Sequence, residues 1–529
     1  MAVRPRKLGA VFPARALAAA LVVLLGVGSC TSDPTPTRAT TQRSGTATPT
    51  MRFKMMEFNI EYGGERVDFQ GVLNAIEAGG ASVVAIEEGY GNMEKIAHGL
   101  DWPYFDARTQ IVSKYPLLAP ESTDGLYTYV ELEPGRVVAI ANVHLPSKRY
   151  GPFQIDRNHA SAEQVIDVED AVRVPAIKTP LDAVTQLAAN GIPAFLTGDF
   201  NAPSHLDYTQ STVGIREQVK FPIDWPVSEL VETAGLVDSF RAVHPDPVAD
   251  PGITWPASRP HVPGYNPGPN GAEADRIDFI YAGGPAKPVA SVIVGEKRAE
   301  GVDITSSPWP TDHRATVSTF DVTPESPPTL LSASPRLVDV GDEARISYHI
   351  DRKDSVMTAP EIQVVTRNDK HRYPFVESST LPHGKTDGVA RLDTGDWRPG
   401  RYEVGLYDGD SQADGAYPAA RTELWVQPRG GTPKISTQDT SYRAGRPITA
   451  TWNFAPGNRW DWVAVYKRGG NPHVSYYNMW EYTHSTVEGS ITFNDRVHGF
   501  PLDPGEYSVY LLQDDSYNKL AAAHFSVTD

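Results

Sequence analysis

The sequence predicts a layered α/β or α+β domain over residues 51–322, followed by two all-β units at 329–428 and 432–529. Three observations carry this expectation. Short apolar strands alternate with helical patterns up to about Val322, the signature of a mixed layered domain. Helical periodicity almost vanishes after the Pro/Ser-rich linker Thr323–Pro328. Beyond it the chain echoes itself. Val340-Gly341 leading to Ile346-Ser347-Tyr348 parallels Ala444-Gly445 leading to Ala450-Thr451-Trp452, and Pro399-Gly400-Arg401-Tyr402-Glu403-Val404 parallels Pro504-Gly505-Glu506-Tyr507-Ser508-Val509. The offsets are 104 and 105, which fits two β-sandwiches of about 100 residues each with a boundary near Pro428–Gly431.

In the first domain, Arg52–Ile60 and Ser82–Ile86 read as strands. Between them Phe69, Val72, Leu73 and Ile76 recur at i, i+3, i+4 and i+7, with Asp68 as a start signal and Gly79-Gly80 as a stop. Arg136–Leu145, Pro193–Thr197, Ile277–Tyr281 and Ala315–Phe320 are further strand candidates, and Thr179-Pro180 reads as the start of a helix that Gly191 follows. Gln210–Ala274 is Pro-rich and reads as loops around a site. The last unit is rich in rings, with Trp452, Trp460, Trp462, Tyr476, Tyr477, Trp480 and Tyr482. They read as core and edge aromatics; a platform for a polymer or surface ligand is the alternative.

Composition narrows the chemistry. Forty-eight Lys and Arg against 65 Asp and Glu leave a formal charge of −17, which argues against a broad basic surface for polyanions. One cysteine excludes a disulfide framework and any multi-thiolate metal site, leaving oxygen and imidazole ligands. That cysteine ends a leader. Residues 1–29 hold Arg4, Arg6, Lys7 and Arg15 with no acid, then an apolar run from Ala16 to Val27, and read as a signal peptide. Val27-Gly28-Ser29-Cys30 resembles a bacterial lipobox, which makes Cys30 a lipid anchor and 30–50, rich in Thr, Ser and Pro, a flexible tether. The expected location is the bacterial cell envelope, on the outer face of the membrane, or the exterior as a secreted protein. Loss of residues 1–29 takes the formal charge from −17 to −21.

Polar residues stand at the ends of the predicted strands. Asn59 lies in Glu57-Phe58-Asn59, Glu87-Glu88 ends the second strand, and His144 lies in Asn142-Val143-His144-Leu145. Asp199 and Asn201 sit two apart in Gly198-Asp199-Phe200-Asn201, Asp278 closes Asp275-Arg276-Ile277-Asp278, and Asp312-His313 precedes the last strand. A carboxylate at the end of an apolar strand is costly unless paired or metal-bound. Carboxylates and an amide without thiolates suit Mg²⁺, Mn²⁺ or Ca²⁺, and histidines with acidic neighbours can donate to an anion or move a proton. Together these are the parts for hydrolysing a phosphate ester.

This ordered series resembles the endonuclease/exonuclease/phosphatase superfamily over residues 52–320. The resemblance implies a four-layered αββα sandwich and in-line attack by water with one or two divalent ions. It implies metal binding at Asn59, Glu88 and Asp312. For catalysis it implies Asp199 orienting or deprotonating water, Asn201 supporting it, His313 on the phosphate with Asp278 as its partner, and His144 as a second phosphate-facing histidine. Glu87 departs from the family's usual Gln, and Thr311 from its usual Ser. Arg108, ahead of the strand Gln110–Ser113, either contacts phosphate or caps a strand edge. The expected substrate is a phosphate ester, be it nucleic acid, phospholipid or a small phosphoester, with an extracellular nuclease or phosphodiesterase as the leading reading. A phosphomonoesterase or a sphingomyelinase/phospholipase C-like enzyme is the alternative within the same site. A catalytically inactive surface binding protein is the alternative outside it. The sequence leaves the oligomeric state open.

Overall fold

The computed structural model describes residues 49–260, 274–351, 357–366, 375–409, 417–475 and 478–529. The leader 1–29, Cys30 and the tether up to residue 48 lie outside them, as do Tyr476 and Tyr477. Among the described residues no helix is long and apolar enough to cross a membrane.

The first part of the chain is mixed α/β and the rest is all β. Its strands are β1 Met51–Asn59, β2 Val83–Glu87, β3 Tyr104–Asp106, β4 Ile111–Ser113, β5 Leu117–Leu118, β6 Thr128–Glu133, β7 Arg136–His144, β8 Ala194–Asp199, β9 Val237–Asp238, β10 Asp278–Gly283, β11 Ala286–Glu296, β12 Ile304–Ser306 and β13 Ala315–Val322. The helices are α1 Phe69–Gly79, α2 Met93–Gly99, α3 Gly151–Asn158, α4 Ala162–Ala189, α5 Pro226–Thr233 and α6 Ser239–Val243. Two sheets result, one in the order β12-β11-β13-β1-β2-β4-β3 and the other β5-β6-β7-β8-β10-β9.

Side-chain parity assigns the layers, because successive residues of a strand face opposite sides. Phe53, Met55, Val83, Ala85 and Ile111 of the first sheet meet Val138, Ile140, Phe195 and Ile280 of the second in one buried cluster. Phe195 stands 5.5 Å from Phe53 and 4.7 Å from Phe320, ring centre to ring centre. The alternate residues face outward. Met56 and Phe58 pack with Val72 and Ile76 of α1, while Ala139, Val143 and Leu196 pack with Ile177, Leu181 and Val184 of α4. The result is helix, sheet, sheet, helix. The start and stop of α1 follow the expected chemistry: Asp68 Oδ1 accepts from Gln70 N at 3.1 Å, and Gly80 ends the helix at φ 63°. Such a cap contributes about 1 kcal/mol.

Two local expectations fail. The helix expected to open at Thr179-Pro180 is the tail of α4, which starts at Ala162 and carries Pro175 and Pro180 inside it. A capping box nucleates it early, with Ser161 and Gln164 satisfying each other's backbone N–H, and the stripe Val165, Val168, Ile177, Leu181, Val184 and Leu187 buries against its neighbours. Tertiary burial thus outweighs the proline cost. The stretch Gln210–Ala274, read as loops, also contains α5, β9 and α6.

After β13 come two sets of sheets with one shared order. Leu330–Ala333, Glu343–His349 and Asp387–Asp393 form a three-stranded sheet, and Leu337–Asp339, Ala420–Gln427, Gly400–Asp408, Pro360–Thr366 and Phe375–Thr380 a five-stranded one. Lys434–Thr437, Ile448–Asn453 and Gly489–Phe493 repeat the first; Ser441–Arg443, Lys519–Thr528, Gly505–Leu512, Trp462–Lys467 and Met479–Tyr482 repeat the second. Trp452 and Trp462 are buried, whereas Trp480 is exposed.

Candidate active site

The inner faces that build the apolar core turn polar at one end of the strands. Counting on in twos from the core residues reaches Glu57 and Asn59 on β1, Glu87 on β2, Asn142 and His144 on β7, Asp199 on β8 and Asp278 on β10. Register brings them together. Asn59 pairs with Glu87 across β1 and β2, His144 with Asp199 across parallel β7 and β8, and Asp199 with Asp278 across β8 and β10. The close approach of β7 and β8 needs Gly198: it sits at φ 132°, and a Cβ there would lie 1.8 Å from the Val143 carbonyl oxygen.

Asp199 is the hub. Its Oδ1 accepts from Asn201 N at 2.7 Å, and its Oδ2 accepts from the side-chain amides of Asn59 and Asn201, each at 3.1 Å. His144 Nε2 stands 3.6 Å and His313 Nε2 3.8 Å from the same oxygen. On its other side the His313 ring places Nδ1 3.0 and 3.1 Å from the two Asp278 oxygens. Burial disfavours a charged His313 ring, but Asp278 and then Asp199 and Asp312 outweigh it and hold the pKa well above the ordinary histidine value. Asp199 is pushed up to about 6 by burial and Asp278, with His313 and His144 pulling the other way.

Glu88 faces the same space at the start of a loop. Its Oε2 accepts from Tyr62 N at 3.0 Å and its Oε1 from Asn59 Nδ2 at 3.4 Å. Asn59 therefore bridges Glu88 and Asp199 through its NH₂, while its Oδ1 is taken by Glu61 N at 3.1 Å. That arrangement makes Asn59 an organiser of the two carboxylates. Asp312 is half-buried beside Trp255, whose Nε1 donates to its Oδ2 at 3.3 Å. Thr311, in place of Ser, still performs a serine's task, its hydroxyl donating to the Asn59 carbonyl at 3.0 Å and accepting from His313 N at 3.2 Å.

Sequence reasoning missed Glu61. It is buried, and its pKa is pushed up to about 7 by burial and by Asp312, with Glu88 adding and the paired Arg259 opposing. Glu61 thus lies within electrostatic range of both Asp312 and Glu88, and all three are hard oxygen donors of the kind a divalent cation takes. Among the described residues, the group of three whose ligand atoms stand close enough to share one ion is Asp199, Asp278 and His313, within 4.8 Å of one another. All three are buried and His313 Nδ1 is already taken by Asp278, whereas Glu88 and Asp312 remain accessible. Arg108 is not part of the gathering. It is buried, with Nη2 3.8 Å from Asp106 and Nη1 3.7 Å from Glu121, so the expected phosphate contact points elsewhere.

Beneath the site, Glu57 and Glu87 are both sealed from solvent and lie within hydrogen-bonding reach of each other, so a proton on one can be shared with the other. Burial, with Asp278 and Asp199 adding, raises Glu57 well above its ordinary value and Glu87 to about 8. From pH 4.5 to about 8 the folded chain holds a proton here that the unfolded chain has released, so stability falls as pH rises through that window. In metal-free buffer Glu87→Gln should therefore raise stability by about 1–3 kcal/mol at pH 8 and change it little at pH 4.5. Thermal melts at the two pH values check this; an equal gain at both would refute the proton assignment.

Comparison with known proteins gives this geometry a context. Residues 56–313 match the profile of the Endonuclease/Exonuclease/phosphatase family. The match supports a metal-dependent phosphoester hydrolase in general terms. The chain is also similar to the uncharacterized protein F14F9.5 of Caenorhabditis elegans, 28% identical over 290 residues that span 50% of this chain and 90% of the relative. Among solved structures, humanized D. rerio TDP2 carrying 14 mutations covers 51% of this chain and 98% of its own at 14% identity and a TM-score of 0.29. The D0-D1 domain of Intimin covers 37% and 96% at 14% identity and a TM-score of 0.17. At these TM-scores neither likeness bears on fold or function.

Proposed function

We propose that the chain is a divalent-metal-dependent phosphodiesterase, with nucleic acid as the leading substrate class. The observation that carries the reading is the convergence of Asn59, Asn201, His144 and His313 on one oxygen of Asp199, with Asp278 paired to the far side of the His313 ring. A cation held by Glu88 would supply the positive charge that offsets the phosphoryl oxygens. Asp199 takes the proton of the attacking water, and Asn201 and Asn59 hold its carboxylate in place. His313, kept protonated by Asp278, donates Nε2–H to a non-bridging oxygen, with His144 as a second donor. Water oxygen bonds to phosphorus as the ester P–O bond breaks, and no covalent enzyme intermediate forms.

A diester fits better than a monoester. Arg259 is committed to Glu61, its Nη2 donating to Oε1 at 2.8 Å. A dianionic monoester would find that guanidinium already engaged. With Mg²⁺, Mn²⁺ or Ca²⁺, bis-p-nitrophenyl phosphate and a DNA or RNA strand should be hydrolysed with kcat/KM at least about tenfold above p-nitrophenyl phosphate, and EDTA should abolish turnover. Preference for the monoester would instead favour the phosphomonoesterase reading. We also propose export to the cell envelope or exterior, on the basic-apolar leader ending at Cys30.

A further inference from the structure

The loop that presents Glu88 is held by the far end of the chain. Glu88 sits at φ 54°, a left-handed backbone that is unfavourable for a side-chain-bearing residue and persists only where its surroundings fix it. Part of the restraint is local: Gly63 N donates to the Glu88 carbonyl at 2.7 Å, and Asn92 N to Gly89 O at 2.9 Å. The rest comes from the last β-unit. Asp514, buried there, accepts through Oδ2 from Gly91 N at 2.7 Å and from Gln110 Nε2 at 3.1 Å, and through Oδ1 from Trp460 N at 3.2 Å. Gln513 packs so tightly on Gly91 that a Cβ there would lie 2.1 Å from its Nε2. Arg459 N donates to Ala107 O at 3.2 Å, and Arg459 Nη1 donates to Asn142 O at 2.6 Å, two residues before His144 on β7.

We propose that the last β-unit is a working part of the metal site, with Asp514 and Arg459 as positioning residues for the Glu88 loop and the His144 end of β7. The inference rests on the reading of Glu88 as the metal-binding glutamate. Its basis is where the hydrogen bonds land. Both go to segments that carry site residues, and burying the Asp514 carboxylate is tolerable only because these donors satisfy it. The Arg336 contacts to Glu121 and Ser485 join the same parts of the chain without touching either segment.

Mn²⁺ binding to the full chain, followed by electron paramagnetic resonance and calorimetry, tests this directly. Asp514→Ala and Arg459→Met should each weaken Mn²⁺ binding about 10–100-fold, the range seen when groups that orient metal ligands are lost. Asp514→Asn, which keeps an oxygen for Gly91 N, should recover most of it. Arg336→Ala should lower the melting temperature yet keep Mn²⁺ affinity within about twofold. Unchanged affinity in folded Asp514→Ala and Arg459→Met would overturn the inference, as would an equal loss in Arg336→Ala, which marks generic docking. If Asp514→Ala does not fold, Arg459→Met and Asp514→Asn decide. A native chain whose Mn²⁺ binding ignores Glu88→Gln would instead bring down the reading of Glu88.

Discussion

Asp199→Asn should lower kcat for phosphodiester hydrolysis by about 10³-fold while leaving KM within a few-fold. The substitution is nearly isosteric, so the hydrogen bond from Asn201 N can persist on the remaining oxygen and the fold is kept. What disappears is the charge and the proton acceptor at the one atom that Asn59, Asn201, His144 and His313 surround. The loss belongs to the transition state, since the water proton must go somewhere as attack proceeds. It should therefore appear in kcat rather than in substrate binding. His313→Ala should behave in the same direction through loss of the donor. A fall of less than tenfold in Asp199→Asn would mean that another group takes the proton.

The largest stability effect is expected at Arg276. Its guanidinium is fully buried and donates through Nε and Nη2 to Asp207 at 3.0 and 3.1 Å and through Nη1 to Asp238 at 2.8 Å, while Arg241 Nε donates to Asp207 at 2.6 Å. Burial costs Arg276 its water, but Asp207 and Asp238 more than compensate and hold it charged. Arg276→Met leaves two buried carboxylates sharing one remaining arginine, and breaking such a network costs about 3–5 kcal/mol. The melting temperature should fall by roughly 10 °C. Activity should fall too, because Arg276 lies two residues before Asp278 and anchors the entry to β10. Calorimetry that finds less than about 1 kcal/mol would show the network to be dispensable.

The layers and most of the site are readable in the sequence for one physical reason: the period of two that buries Phe53, Met55 and Ile280 also aims Glu57, Asn59 and Asp278 inward. A polar residue ending an apolar strand is thus visible in the order of the residues alone. Glu61 carries a weaker signal, an acid two residues past Asn59 in a segment whose backbone turns to φ 52°. Arg459 and Asp514 carry none. They lie more than 300 residues from Asn142 and Gly91, and only the docking of a separate β-unit brings them there. Arg108, near in sequence to the strand it precedes, is drawn instead to Asp106 and Glu121. The start of α4 is hard to read because its two prolines look like breaks until the stripe that buries the helix is known.

In the proposed reaction Glu88 and its acidic neighbours hold the cation while Asp199, Asp278 and His313 act on water and phosphate. Anomalous diffraction from crystals soaked in Mn²⁺ tests it most directly. An ion is expected within about 2.2 Å of a Glu88 carboxylate oxygen, with the His313 and Asp278 side chains still paired to each other. An ion bound instead between Asp199, Asp278 and His313, with that pair broken, would contradict it.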